Sequence, residues 1–370
     1  MANVKIPIHN RSIKTRKKSL MDWEIPEIEK KKILRFLEEL ELGKVNLGKK
    51  ISEGRQSKYL DLLRVPFEII NKPCEKITVL DIEFFERDLS SGKIKSNKKE
   101  PYSLNTKVDM RRALKIYLKW RLGEVKAKEL AGWLDTKDVR VTPDYLSEVE
   151  ITKLYKHCKS ANERFLIAVL FDAGARAEEF HNIRYEDVQL PKEKESYVKL
   201  TIKEEYSKTL GRTISLYWKY SLEAVADYIK ERERDGIKRN EPIYNISYDA
   251  TRKFLQRLGK KVLGKSLHYH LFRHSSATYY APKLNRQQLC IRYGWKFSSE
   301  MPDTYISRAG VDSKEIDEKF TQTEMGDLKV DNTKLKQELE IGKERQNNLE
   351  FELDALKKSV KSLLEVAKEK

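Results

Sequence analysis

Residues 270–278 read HLFRHSSAT, and the His-x-x-Arg spacing inside this stretch is the most informative pattern in the chain. Residues three apart share one face of a helical turn, so His270 and Arg273 would project together. Arg176 lies upstream of the stretch and Tyr305 lies downstream. Guanidinium groups bind phosphate oxygens through paired hydrogen bonds and stay charged at any working pH. A phenol beside such a pair could attack a phosphodiester and hold the cleaved strand as a phosphotyrosine.

The charge of the chain favours a polyanionic partner. Its 370 residues include 75 Lys and Arg against 58 Asp and Glu, a formal net charge of +17. Charged residues make up 36% of the chain, above the roughly 25% of ordinary globular domains. A surplus of this size favours nucleic acid first and an anionic membrane surface second. On charge alone, a solvated basic surface without a partner stays open.

Other features of the composition narrow the class of protein. The sequence has no run of about 18 apolar residues, so no membrane span is predicted, and its basic start lacks the apolar core of a secretory signal. The three cysteines, Cys74, Cys158 and Cys290, lie far apart, which predicts reduced thiols with neither a disulfide framework nor a zinc site. The sequence shows no carboxylate cluster with metal-ligand spacing. We expect a cytoplasmic protein that needs no cofactor and meets DNA or RNA in the cell.

Hydrophobic periodicity predicts a helical domain in the first third of the chain. Residues 1–19 form a basic arm with little to bury, which we expect to be flexible. Apolar residues then recur at helical spacing between Gly, Pro and Ser breakers. The predicted helices span 26–42, 53–70, 78–89 and 104–122. We therefore predict a compact all-α domain over 20–123, followed by an exposed linker over 124–141.

Several basic side chains of this domain are candidates for facing DNA rather than only solvent, because the whole chain is basic. They are Lys49, Lys50, Arg55, Lys58, Lys107, Arg111, Arg112 and Lys115.

A second domain of mixed α and β structure is predicted over 142–325. Ser147 and Glu150 form a capping-box pattern at the start of its first helix. Between Tyr197 and Leu216 the apolar residues alternate with polar ones, and Gly211 lies in the turn region. This pattern predicts a β-hairpin or a three-stranded sheet. Helical patterns resume near residue 221, so the whole chain should be mostly α-helical.

The C-terminal segment, 326–370, carries a heptad repeat. One series of positions seven apart comprises Leu328, Leu335, Gly342, Leu349, Leu356 and Leu363. The interleaved series comprises Asn332, Leu339, Gln346, Leu353, Val360 and Ala367. These are d and a positions, and oppositely charged residues at g and e′ fit a parallel homodimer through 328–367. The alternative is a single charged helix that folds back on its own domain.

In order and spacing, these motifs resemble the tyrosine recombinase (phage integrase) family, with archaeal-type members the most similar. The resemblance is carried by GAR-x-E-E-F at 174–180, the Ser-Lys-Thr hairpin at 207–209, HLFRHSSAT at 270–278, and MPDTYISRAG at 301–310. The N-terminal helical domain is similar to the SAM-like core-binding domain of that family. The resemblance covers about residues 20–320.

The resemblance implies a catalytic set that comprises Arg176, Lys208, His270, Arg273, Trp295 and Tyr305. Tyr305 would be the nucleophile, and His270 would accept or share its proton. The two arginines would hold the non-bridging phosphate oxygens, and Lys208 would protonate the leaving 5′ oxygen. Trp295 stands where many members have histidine and would close the pocket.

Two neighbouring side chains have supporting roles under the same resemblance. His274 would either orient the site or stabilise its helix. Glu179 matches an acidic position of the family and would steady the fold.

The resemblance implies a site-specific DNA recombinase that cuts and rejoins double-stranded DNA through a 3′-phosphotyrosine, in a synapse of four protomers. Two alternatives stay open. A type IB topoisomerase uses much the same residues to relax DNA, and a DNA-binding protein of the same fold could lack activity. Tyr279, Tyr280 and Tyr293 precede Trp295 and would break the family order, so Tyr305 is the predicted nucleophile.

Overall fold

The computed structural model describes residues 5–8, 12–138, 143–192, 196–207, 209–309 and 334–350, together with residues 353 and 357. The chain divides into two compact units. One unit is formed by residues 9–142, and the other by residues 143–370 together with residues 1–8.

Six helices build the unit of residues 9–142. They are α1 (Ile13–Ser19), α2 (Glu27–Leu42), α3 (Glu53–Ile70), α4 (Val79–Ser90), α5 (Leu104–Leu122) and α6 (Glu124–Ala131). Helices α2 to α5 are the four amphipathic helices that the sequence predicts, each within about a residue of its expected ends. Their apolar faces meet around Phe36, Phe67 and Tyr117, whose rings pack edge to face.

Both ends of this unit are more ordered than the sequence predicts. Instead of a flexible arm, residues 13–19 form α1, because Ile13 and the following Leu20 are buried in the core. Instead of a wholly exposed linker, the stretch after residue 123 begins with α6, which buries Ala127 and Leu130. In both places a few apolar residues suffice to dock a short helix.

Most of the basic residues expected to face DNA have partners within this unit. Five of them bond to carboxylates or backbone carbonyls: Lys58, Lys107, Arg111, Arg112 and Lys115. Lys49, Lys50 and Arg55 are exposed. The DNA-facing role of the whole set stays a prediction.

Eight helices and a small sheet build the first part of the other unit, over residues 143–309. The helices are α7 (Glu148–Lys156), α8 (Ala161–Ala173), α9 (Ala177–Asn182), α10 (Ser221–Arg234), α11 (Tyr248–Leu263), α12 (Tyr269–Tyr280), α13 (Arg286–Tyr293) and α14 (Met301–Ala309). The strands are β1 (Val188–Gln189), β2 (Val198–Ile202) and β3 (Arg212–Leu216). The sheet is antiparallel in the order β1-β2-β3, with Leu200 opposite Ile214. The predicted three-stranded sheet is confirmed.

Helix α8 lies at the centre of this unit. Its residues 165–171 are fully buried and pack against α10, α12 and β3. The capping box of Ser147 and Glu150 forms as predicted at the start of α7. Because α8 is packed against these elements, the position of the turn at its C-terminal end is fixed relative to them.

A further helix, α15, covers residues 334–350 inside the predicted heptad region. Glu344 on this helix pairs with Lys156 of α7 at 3.0 Å. Leu335, Leu339 and Leu349 are more than half exposed. Gly342, Gln346 and Leu353 are described as well, and the remaining heptad positions lie outside the described residues. None of the described helices is both long and apolar enough to cross a bilayer.

Candidate active site

Arg176 lies in a turn that requires glycine. Gly174 ends α8 in the left-handed region, with φ of +56°. A Cβ at this position would lie 2.5 Å from Cε1 of Tyr293. Two residues on, Arg176 has extended backbone angles as the N-cap of α9. The chain thus ends α8 at Ala173 and begins α9 at Ala177, with Arg176 directly before α9.

The Arg176 guanidinium is held on one side by α9 and on the other by the segment before β3. Its Nη1 donates to Oε1 of Glu179 at 2.9 Å and to the Thr209 hydroxyl at 3.0 Å. The side chain keeps 21% of its surface exposed. It is therefore fixed in direction and still reachable from solvent.

Glu179 is a buried carboxylate that organises the cations around it. It accepts hydrogen bonds from Arg212 Nη2 at 2.9 Å and from the Ser207 hydroxyl at 2.7 Å. Burial by itself raises the pKa of this carboxyl, but the hydrogen bond and charge of Arg212, with the charge of Arg273, outweigh it and lower the pKa to about 2. Glu179 is thus ionised at neutral pH. A single negative charge faces three guanidinium groups, and the local positive excess suits an anionic ligand.

Arg273, on α12, is the most deeply buried of these cations. Its two terminal nitrogens donate to the carbonyl oxygens of Gly174 and Tyr293, each at 2.7 Å. Burial, followed by the nearby charge of Arg176, lowers the pKa of Arg273 to about 9. The group remains charged at neutral pH. Because both acceptors are neutral carbonyls, neither of them offsets that charge.

Tyr305, on α14, is buried with its hydroxyl turned towards α12. Its oxygen lies 2.6 Å from Nδ1 of His274, and the residue is 1% exposed. Its ring is parallel to the indole of Trp295, with centroids 5.6 Å apart. The phenol is therefore positioned by its hydrogen bond to His274 and by stacking on Trp295.

Trp295 links the phenol to the cation. The guanidinium carbon of Arg273 lies 5.5 Å from the centre of the Trp295 ring, a cation–π distance. The same ring stacks on Tyr305. Gly294 permits this approach, since it has φ of +61° and a Cβ there would lie 2.8 Å from the Thr209 hydroxyl oxygen.

The two histidines of α12 occupy different positions. His270 is exposed in the first turn, and its ring centroid lies 6.3 Å from that of His274. The sequence predicts His270 as the proton acceptor of Tyr305, whereas the structure bonds the phenol to His274. The i, i+4 spacing puts both histidines on one helix face. The position of α14 then decides which of them bonds the Tyr305 hydroxyl.

Lys208, the remaining residue of the predicted set, lies outside the described residues. Its two neighbours, Ser207 and Thr209, are described, and each contacts one member of the Arg176–Glu179 pair. Ser207 donates to Glu179, and Thr209 accepts from Arg176.

Two supporting residues, Arg212 and Asp172, are not predicted by the motifs. Arg212, at the start of β3, bonds Glu179 and also the carbonyl of Arg292. Asp172, fully buried near the end of α8, accepts from Arg292 at 2.9 Å and from the Trp218 backbone at 2.6 Å. An acidic residue inside an apolar helix is a readable signal for such a buried anchor. Arg212 offers no comparable signal.

The described residues contain no group of three or more His, Cys, Asp or Glu side chains placed to hold a metal ion.

The chain is similar to known proteins over the region that contains this site. Residues 144–308 match the model of the Phage integrase family. Tyrosine recombinase XerA of Saccharolobus solfataricus is 27% identical over 225 residues, which cover 60% of this chain and 70% of XerA.

Two solved structures share the fold at low identity. A lambda integrase tetramer bound to a Holliday junction has a TM-score of 0.54 and 18% identity, covering 75% of this chain and 78% of that one. XerH recombinase bound to its difH substrate has a TM-score of 0.50 and 16% identity, covering 86% of this chain and 99% of that one.

The mostly helical fold with its small three-stranded antiparallel sheet matches the fold of these recombinase structures. Over residues 144–308, the chain matches the phage integrase, or tyrosine recombinase, family.

Proposed function

We propose that this recombinase cleaves double-stranded DNA at a specific site with Tyr305 and rejoins it through a 3′-phosphotyrosine. The observation that carries the proposal is that Tyr305 and Arg273 both contact the ring of one side chain, Trp295. The nucleophile and a phosphate-binding cation are thereby held in one small site. An in-line attack on a phosphodiester needs the nucleophile and the phosphate-binding group to be held at a fixed separation.

In the proposed reaction, the scissile phosphate binds between Arg176 and Arg273. The Tyr305 oxygen attacks phosphorus, a new O–P bond forms, and the bond to the 5′ oxygen breaks. Negative charge grows on the non-bridging oxygens, where the guanidinium groups stabilise it; one such donor is typically worth about 10²–10³ in rate. The phosphotyrosine keeps the energy of the broken bond for rejoining.

Proton transfer involves the two histidines and Lys208. A free phenol has a pKa near 10, so attack at neutral pH requires a proton acceptor. His274 takes that role because its Nδ1 already bonds the Tyr305 hydroxyl. His270, one turn earlier, hydrogen-bonds a phosphate oxygen, and Lys208 protonates the leaving 5′ oxygen.

Recombination requires assembly, for which we propose a synapse of four protomers on two duplexes. The lambda integrase structure shows that protein as a tetramer on a Holliday junction. In this chain, α15 supports parallel pairing with a second copy. Its leucines at a and d positions are exposed, and Glu338 with Lys343 and Arg345 with Glu350 give opposite charges at g and e′.

A covalent-trapping assay tests the cleavage step. The wild type and Tyr305→Phe are incubated with nicked suicide duplexes that carry a pool of candidate sites, in the presence of chelator. We expect a denaturation-resistant protein–DNA adduct with the wild type alone. An adduct with both proteins would mean that another tyrosine attacks. Tight binding without an adduct in either would favour an inactive DNA-binding protein.

A two-duplex exchange assay then separates recombination from relaxation. Labelled and unlabelled duplexes with the trapped site should yield exchanged products. Relaxation of a supercoiled plasmid without exchange would instead indicate topoisomerase-like activity.

A further inference from the structure

Residues 5–8 lie against α9, the helix that follows Arg176. Residues 5–8 belong to the same compact unit as residues 143–370. The backbone N–H of Ile6 donates to Oδ1 of Asn182 at 2.6 Å, and Nδ2 of Asn182 donates to the Ile6 carbonyl at 2.9 Å. The two residues are 176 positions apart. A side-chain amide thus pairs with one residue of extended backbone as a neighbouring strand would.

Asn182 is fully buried, so these bonds satisfy groups that water does not reach. Its second amide hydrogen goes to the carbonyl of Glu178 at 2.8 Å. The side-chain amide offers two donors and one main acceptor site, and Ile6 uses one donor and the acceptor. Without residues 5–8, the amide would lose both of these hydrogen bonds, which is unfavourable unless water replaces them.

A third contact reaches the other end of the same helix. Lys5 pairs with the carboxylate of Glu178 at 3.2 Å. Glu178 is in the first turn of α9, and Asn182 is its last residue. Residues 5–8 therefore contact both ends of a helix of only six residues, a length that is not stable without packing.

Helix α9 contacts Arg176 and also the helix that carries Arg273. Arg176 is its N-cap, and Glu179 within it binds Arg176 and Arg212. His181 of α9 also lies 2.6 Å from the hydroxyl of Tyr269, the first residue of α12. A shift of α9 would thus move Arg176 directly and disturb the start of the helix that carries Arg273.

We propose that residues 5–8 are a strap that docks as extended backbone on Asn182 and positions Arg176 for strand cleavage. The strap, Asn182 and Lys5 are positioning elements and do not touch the DNA phosphate. The role in cleavage rests on the proposed function, whereas the docking itself does not. Recognition is through the Ile6 backbone, because the Ile6 side chain is partly exposed to solvent.

A pair of substitutions at one residue separates backbone recognition from side-chain packing. Ile6→Pro removes the N–H that donates to Asn182, while Ile6→Ala keeps both backbone groups. Both are made in the full chain. Hydrogen exchange of the peptide covering α9 reports docking. Single-turnover adduct formation at saturating DNA reports cleavage, and equilibrium DNA binding is measured separately.

We expect Ile6→Pro to speed exchange in α9 and to slow adduct formation about 10-fold, since small misplacements of reacting groups are costly. DNA affinity should stay within about 2-fold, because undocking of the strap displaces only Arg176 among about 6–10 phosphate contacts. Ile6→Ala should match the wild type in all three measurements. Asn182→Ala should reproduce Ile6→Pro, and the two changes combined should be no slower than either alone.

Three results would overturn the proposal. Unchanged exchange in Ile6→Pro would show that the strap does not dock. Faster exchange with unchanged cleavage would show a purely structural contact. Equal effects of Ile6→Ala and Ile6→Pro would show side-chain rather than backbone recognition. If the wild type itself forms no adduct, the proposed function and the positioning role both fail, and the exchange data still decide whether the strap docks.

Discussion

Glu179 influences the site through charge rather than through contact with the substrate. Its buried carboxylate bonds Arg176 and Arg212, and its charge also acts on Arg273. Removing one partner of a buried ionic group leaves the others uncompensated, which typically costs about 3–5 kcal/mol. The family resemblance suggests that this residue steadies the fold, and the bonds explain how it does so.

The contribution of Glu179 to stability should depend on pH. Its folded pKa, about 2, lies below the ordinary 4.5, so its contribution is fully present above pH 4.5 and is lost as pH falls towards 2. The difference corresponds to about 3 kcal/mol. Glu179→Gln should therefore lower the free energy of unfolding by about this amount at pH 7, in urea titrations. The difference in unfolding free energy between this variant and the wild type should narrow between pH 4.5 and pH 3. A difference that stays constant over this range would contradict the link between the pKa of Glu179 and stability.

The two histidines of α12 can be distinguished by their effect on cleavage. His274→Gln should slow single-turnover adduct formation by about 10²–10³, because it removes the proton acceptor bonded to Tyr305. Raising the pH should partly restore the rate of this variant, since hydroxide can then take the proton in place of His274. His270→Gln should show less recovery at high pH, because its loss affects phosphate binding. The reverse pattern would return the acceptor role to His270.

At the scale of elements, the turn from α8 to α9 does most to assemble the site. It carries the glycine whose carbonyl binds Arg273 and the N-cap that is Arg176. The sequence predicts the order of the helices, the sheet and the capping box, because periodicity and caps are local properties. It does not predict α1 or α6, since their stability comes from a few buried residues in tertiary contact.

Gly174→Ala should damage both stability and cleavage. The left-handed backbone alone disfavours alanine by about 1 kcal/mol, and the added Cβ would overlap the Tyr293 ring. We expect a total loss of about 3 kcal/mol in unfolding free energy and adduct formation at least about 10-fold slower. Gly264→Ala is the matched control, because it has φ of +67° with open space around the Cβ. It should lose about 1 kcal/mol and cleave normally. Equal losses in both variants would exclude the steric argument.

For the whole molecule, the net charge of +17 predicts salt-sensitive DNA binding. With about 6–10 phosphate contacts, affinity should fall by about 10³–10⁵ between 50 and 200 mM salt, through counterion release. Fluorescence anisotropy with a duplex that contains the trapped site would measure the slope. A flat salt profile would exclude binding of DNA through phosphate clamping.

The exposed leucine face of α15 predicts self-association of the full chain. Leu339→Asp should shift the protein from dimer to monomer in sedimentation velocity at tens of micromolar, because a charge at an a position disrupts the seam. Gln337→Asp is the control, since position 337 is an outward f position of the same helix. A wild type that is monomeric over this range would favour the alternative, in which α15 folds back through Lys156 and Glu344.

The sequence by itself determined the resemblance to the tyrosine recombinase family, the order of the helices and the residues proposed for the site. These features depend on local residue spacing and on the order of the motifs, both of which can be read from the sequence alone. The tertiary structure decided which histidine meets Tyr305, how Trp295 joins Tyr305 to Arg273, and that residues 5–8 bind Asn182. Such contacts join residues up to 176 positions apart, and they arise only when buried polar groups must find partners within the folded core.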